Sequence, residues 1–170
     1  MRATLPCALA LAFLAPPPAD AQTAEYAAKA AFIYNAALFS QFPNADTGLL
    51  RLCVLGRDPF GELLASMEGK RLGDAKITVA YPQSSSDALK QCQIVFISAS
   101  EADNIAALAD AGKGAGVMTI ADTKGAARKG IMLELSVEDK RIAFECNVEA
   151  ARSANITLSS KVLRLARAVY

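Results

Sequence analysis

Tyr26, Ala30, Ile33, Tyr34, Ala37 and Leu38 recur at three- and four-residue intervals, and this spacing predicts a long first helix that ends before Pro43. Beyond it the pattern changes to short apolar runs separated by polar, glycine-bearing turns. Arg51 to Gly56, Lys76 to Ala80, Gln93 to Ser98 and Val117 to Ala121 read as strands. The first, third and fourth of these lack polar alternation, as expected of parallel strands buried on both faces. Between them, Asp58-Pro59 opens a helix that Gly69 closes, Asp87 to Gln91 is a short helix, and Ser100-Glu101-Ala102-Asp103 starts another that Gly112 stops. Lys124 to Lys129 reads as a further short helix.

The last third of the chain has a different period. Ile131, Leu133 and Leu135 alternate with Met132, Glu134 and Ser136, and Ile142, Phe144, Cys146 and Val148 alternate with Arg141, Ala143, Glu145 and Asn147. A period of two with polar partners predicts two strands with one wet face, joined as a hairpin at Glu138-Asp139-Lys140. Leu158, Val162, Leu165, Ala166 and Val169 predict a final amphipathic helix with Lys161, Arg164 and Arg167 as a basic stripe. The whole predicts a single α/β domain over 22–170. Its sheet is mostly parallel, with helices on both faces and the antiparallel C-terminal hairpin at one edge.

The first residues stand apart. Arg2 is followed by an apolar run from Leu5 to Ala15, three prolines and Ala19-Asp20-Ala21. This is the pattern of an export signal over 1–21, cleaved after Ala21, and it places the mature chain in a bacterial periplasm. The run is too short to span a hydrocarbon core, so no direct membrane insertion is expected.

Composition narrows the chemistry. The 170 residues are 53% hydrophobic and 21% charged, enough for one sizeable core. Eighteen Lys and Arg against 17 Asp and Glu give a net charge of +1, and no nucleic-acid partner is expected from such a balance. With no His, triads that use His, His-ligated metals and His acid–base catalysis are excluded. No cofactor, metal or catalytic set is expected. Gly56 to Gly61 has phosphate-loop spacing, but Glu62 stands where Lys is required.

Three cysteines follow the export signal: Cys53, Cys92 and Cys146. At most one pair forms within the chain. A Cys53–Cys92 bridge is geometrically reasonable if their strands are neighbours; three reduced, buried thiols are the alternative.

In a doubly wound sheet, ligands sit outside the carboxyl ends of the strands. Three such ends are polar here, and they define a candidate crevice of Arg57, Asp58, Phe60, Ser98, Ser100, Glu101 and Asp122. Such a crevice suits a small anion or a partner's carboxylate, so a periplasmic small-molecule sensor is one reading. Asp58 and Ser100 acting only as helix caps is the other. Aromatics of the first helix that miss the core, Phe32 or Phe39, form a candidate partner surface with Lys161, Arg164 and Arg167. The exposed side of the first or last helix also suits a homodimer.

Several segments in order resemble one family. They are Lys29 to Pro43, Leu52-Cys53-Val54-Leu55-Gly56 with Asp58-Pro59-Phe60-Gly61, Cys92 before Ile94 to Ser98, and Thr119-Ile120-Ala121-Asp122. Gly130-Ile131-Met132, Phe144-Glu145-Cys146-Asn147 and Ser159 to Ala166 continue the series. Together they are similar to the YfiR-like family. The chain departs from it at Leu38, Phe42 and Cys146, where members commonly carry Lys, Trp and an aliphatic residue. The resemblance implies a non-catalytic periplasmic repressor that binds the periplasmic sensor portion of an inner-membrane diguanylate cyclase, lowering cyclic di-GMP and disfavouring biofilm. It also implies an outer-membrane lipoprotein that sequesters the repressor in some systems. It implies a stabilising disulfide that maps onto Cys53 and Cys92; the second pair of some members has no counterpart, since only Cys146 remains.

Overall fold

The structure, a computed structural model, describes residues 19–43, 48–139 and 141–170. The apolar run of the export signal and Lys140 of the expected hairpin turn lie outside the described residues.

The chain begins with α1 (Ala19–Leu38) and β1 (Ser40–Gln41). It continues through β2 (Leu49–Leu55), α2 (Glu62–Ala65), β3 (Arg71–Leu72), β4 (Ala75–Ala80), α3 (Ser85–Gln91) and β5 (Ile94–Ile97). Next come α4 (Ile105–Ala111), β6 (Met118–Ala121), β7 (Leu133–Glu138), β8 (Arg141–Cys146) and α5 (Val148–Ser153). It closes with β9 (Thr157–Leu158), α6 (Ser160–Leu163) and β10 (Ala168–Val169).

Eight strands form one sheet in the order β10-β8-β7-β6-β5-β2-β4-β3. The central strands β4, β2, β5, β6 and β7 run parallel, whereas β3 and β8 pair antiparallel with their neighbours. Every position of β5, an apolar run, and of β6, Thr119 included, is buried, because helices cover both faces there. On one face Leu52, Val54, Phe96, Ile120 and Phe144 share a core with Ile33 of α1; on the other Leu55 and Ile97 share one with Ile105 and Leu108 of α4. The inner side of α1 is small and closely spaced, with Ala30, Ile33, Ala36 and Ala37 all buried, so its backbone lies near the sheet. A separate ribbon pairs β1 with β9, placing Ser40 opposite Leu158.

The disulfide joins Cys53 of β2 to Cys92, just past α3, with Cα atoms 6.1 Å apart. It ties α3 down on the face opposite α1. Cys146 is free and buried, and burial pushes its thiol pKa up to about 11.

Four features differ from the sequence expectation. The final helix stops at Leu163, and the chain extends into β10 instead. The reason is the sheet edge: Arg167 N donates to Phe144 O and Tyr170 N to Cys146 O, both at 2.8 Å, which answers carbonyls that a helix would leave open. The β7–β8 hairpin is therefore next to the edge, with β10 outside it. Met132 and Glu134 are buried where a wet face was expected, because the start of β7 lies between β6 and β8 and is covered on both sides. Asp58 and Ser100 do not cap helices. Asp58 accepts from Phe60 N and Gly61 N in a tight turn, and Ser100 accepts from Arg57 N.

The opposite edge is closed by economical means. β3 covers only the first residues of β4, and further along Glu68 accepts a hydrogen bond from Val79 N at 2.7 Å. A carboxylate there does for an edge amide what a neighbouring strand would do.

Replacing Cys53 and Cys92 together by Ala is expected to lower stability by about 4 kcal/mol, the chain-entropy value for the 39-residue separation. For a domain of this size that corresponds to a fall of roughly 8–16 °C in melting temperature. Calorimetry with and without reductant checks it, and an unchanged midpoint would overturn it.

Candidate functional site

The sheet order reverses between β2 and β5, and the loops after those strands meet at their carboxyl ends. Gly56 ends β2 with φ +89°, a conformation that side chains other than glycine rarely adopt. It also lies against the next loop: a Cβ at this position would stand 2.9 Å from Glu101 Cγ and 3.3 Å from Ser98 Cβ, with Ser100 Oγ nearer still. Arg57 N donates to Ser100 Oγ at 2.9 Å, and Ser98 N to Leu55 O at 3.0 Å. Phe60 is turned inward, edge-on to Phe96 at 4.7 Å and to Tyr26 at 5.2 Å. Arg57, Asp58, Phe60, Ser98, Ser100 and Glu101 thus gather around the reversal point, with Arg57 bonded to Ser100 and Phe60 turned into the core.

Asp122, at the end of β6, is held by α1. Its Oδ2 accepts from Lys29 Nζ at 2.7 Å and from Tyr26 OH at 3.0 Å. Lys29 also pairs with Glu25 at 2.5 Å, one turn back on the helix, and lies 4.3 Å from the Tyr26 ring centre. Lys29 is only 3% exposed. Burial alone would lower its pKa, but hydrogen bonds from its ammonium to Asp122 and Glu25 outweigh this and leave it above the ordinary lysine value. Burial, then the adjacent Asp122 charge, pushes Tyr26 up to about 12. Asp122 Oδ1 and Thr123 Oγ1 are buried without a partner among the described residues. Close by, the buried Glu134 accepts from Gly125 N at 2.9 Å and Ala127 N at 3.0 Å, fixing the turn after β6.

Beside this group a polar depression of about 440 Å³ is lined by Glu25, Lys29, Asp122, Lys124, Glu134 and Arg167, among others. Among the described residues no cluster of His, Cys, Asp or Glu is suited to a metal ion. What the arrangement does chemically is lock: a buried cation between two carboxylates pins the first helix across the strand ends.

Sequence reasoning missed Lys29, Tyr26 and Glu134 as members of this group. Lys29 was legible, since it sits one turn before Ile33 on the apolar side of α1, and a lysine there needs a buried counter-charge. Glu134 carried no such signal, because alternation placed it on a wet face.

The candidate partner surface divides. Phe39 is exposed, and Lys161 Nζ stands 5.6 Å from its ring centre. Arg164 is exposed on the same short segment as Lys161. Phe32 instead packs on Phe144 with ring centres 4.7 Å apart. Arg167 is engaged by Glu138 and Glu145, and Tyr170 donates to Glu145.

Fold and site define a doubly wound α/β domain whose first helix is pinned across the strand ends by Lys29 and Asp122. Residues 26–167 match the YfiR/HmsC-like family, and the chain belongs to it. None of the curated proteins matches at a significant level. Among solved structures, a conserved domain protein of Vibrio cholerae O1 biovar El Tor str. N16961 is similar at TM-score 0.59 and 14% identity, covering 85% of this chain and 60% of that one. A second, titled as the ABC domain in complex with L-Trp from Streptococcus pneumonia, is similar at TM-score 0.51 and 8% identity, covering 71% of this chain and 55% of that one. At these identities the likeness is one of fold, and this chain spans less than two thirds of either structure.

Replacing Lys29 by Met is expected to destabilise the fold by about 3–5 kcal/mol, because Asp122 is left as an unpaired buried charge. Adding Asp122→Asn should recover most of the loss, and denaturant titration of the single and double variants measures both.

Stability is also expected to fall under alkaline conditions. Tyr26 and Cys146 have folded pKa values raised to about 12 and about 11, and Lys29 is raised as well. Each holds its proton more tightly when folded, so its contribution is complete below the unfolded value and is lost as pH climbs through the folded one. Melting temperature measured from pH 8 to 12 should decline from about pH 9 upward, and Tyr26→Phe should flatten the upper part of that decline.

Proposed function

We propose that this protein is an exported regulator that binds and represses the periplasmic portion of an inner-membrane diguanylate cyclase, lowering cyclic di-GMP and with it attachment and biofilm. The observation that carries this reading is the match to the YfiR/HmsC-like family over 26–167. Its site of action is the periplasm, reached through a signal over 1–21 that is cleaved after Ala21. The Cys53–Cys92 bridge suits an oxidising compartment, and among the described residues no helix is long and apolar enough to cross a membrane. The role is carried by protein–protein contact and needs no catalysis. An outer-membrane lipoprotein that sequesters the repressor would relieve it.

A small-molecule role for the strand-end crevice has less in its favour. Ser98, Ser100 and Glu101 lie directly against Gly56, and Asp122 is engaged by Lys29 and Tyr26.

Deleting the gene in its host is expected to raise cellular cyclic di-GMP, measured by mass spectrometry. Adding purified mature protein to the cyclase in reconstituted membranes should lower cyclic di-GMP synthesis. Unchanged cyclic di-GMP in both assays would overturn the reading.

A further inference from the structure

Where α1 ends, Leu38 and Phe39 turn outward with 42% and 41% of their surfaces exposed. They border a depression of about 230 Å³ that the ribbon completes through Ser40, Gln41, Thr157 and Ser159. The two chain segments are fixed to one another there, since Ser159 N donates to Phe39 O at 3.0 Å. The Ser159 hydroxyl caps α6, which brings Lys161 over the Phe39 ring. The helical turn carries on past α6, because Arg164 N donates to Ser160 O and Leu165 N to Val162 O. Leu165 therefore lies one turn beyond Lys161 on the same side, and it is 77% exposed.

Among the described residues that build this face the charge is of one sign, since 26–43 and 150–170 contain no Asp or Glu. Among the described residues neither Lys161 nor Arg164 forms an ion pair; Arg164 Nε donates only to the Ser160 carbonyl. Arg152 and Arg167, the other cations of the C-terminal segment, pair with Glu149 and with Glu138 and Glu145. Exposed apolar side chains beside unpaired cations form the pattern of a contact surface whose rim selects the partner's charge.

We propose that Leu38, Phe39 and Leu165, flanked by Lys161 and Arg164, dock an acidic protein segment that presents an apolar side chain to the notch between α1 and the ribbon. The apolar group sits against Phe39 and Leu165, and carboxylates of the partner take the counter-ion places at Lys161 and Arg164. This deepens the repressor reading and rests on it for the identity of the partner: the cyclase's periplasmic portion is the protein expected to supply the segment. Its binding weakens as salt rises, because the rim cations are exposed to screening.

The test has two arms. In the first, the purified periplasmic portion of the cyclase is titrated against the mature protein, against Lys161→Glu/Arg164→Glu and against Phe39→Ala. Each variant should weaken binding by roughly tenfold or more while its melting temperature stays unchanged, since all three side chains are exposed. Binding equal to that of the unaltered protein would overturn the proposed surface and leave the repressor reading standing. In the second arm, amide NMR shifts of the mature protein are followed with a short synthetic peptide carrying a Leu-Phe pair flanked by glutamates, and with its lysine-flanked counterpart. The acidic peptide should move the signals of Phe39, Lys161 and Leu165, and the basic one should not. If the cyclase itself fails to bind, this arm decides. Shifts at those residues keep the surface and reject the cyclase as partner, whereas shifts elsewhere or with neither peptide overturn the surface.

Discussion

A lysine that is almost wholly withdrawn from water must find its counter-charge inside the protein, and for Lys29 that charge is Asp122, 93 residues further along the chain. Neither is tolerable alone in that position, so the pair sets where α1 can lie. With Lys29 over the end of β6, the turns that follow bring Ile33 and Ala37 onto the sheet, and Tyr26 meets Phe60, which in turn meets Phe96. The aromatic chain and the ion pair together seat the helix from two sides. Gly56 completes the arrangement, because only a residue without a side chain allows the loops after β2 and β5 to close over the reversal of the sheet.

At the reversal itself the loops after β2 and β5 lie directly against one another, and the open depression stands to one side, beside Lys29 and Asp122. The outer surface is chemically uneven: Arg152 and Arg167 are paired with Glu149 and with Glu138 and Glu145, while among the described residues Lys161, beside Phe39, and Arg164 have no ion-pair partner. The regulatory role proposed for the chain, a member of the YfiR/HmsC-like family, is compatible with a molecule built in this way.

Much of the fold was legible because its signals are local. β5 announces itself as an unbroken apolar run and β6 by its lack of polar alternation, and β7 and β8 by their alternation. The final helix was misread for the opposite reason. Val162, Leu165, Ala166 and Val169 have helical spacing, but the carbonyls of Phe144 and Cys146 at the sheet edge draw the amides of Arg167 and Tyr170 into strand pairing, and no spacing rule registers a partner that distant. The candidate site was legible in the same uneven way. Arg57, Ser98 and Ser100 meet as strand-end logic requires, but the direct Arg57–Ser100 hydrogen bond is a property of the assembled loops that no local signal announces. Lys29 could be flagged from its place on the apolar side of α1, but the choice of Asp122 over other carboxylates is a property of the assembled sheet. Phe32 and Phe39 looked alike in sequence; only the register of α1 sends one to Phe144 and the other to solvent.

The ribbon of β1 and β9 has a consequence for how the molecule comes into being. Its halves, Ser40–Gln41 and Thr157–Leu158, bracket β2 through β8 in sequence. Joining them closes a loop that contains most of the sheet, and such closure is entropically costly until the intervening strands have collected. The clasp therefore belongs to the last stage of folding, after the parallel core has condensed. Since the same clasp holds Lys161 over Phe39, the face they share is complete only once the clasp has closed, so it marks a molecule whose assembly is finished.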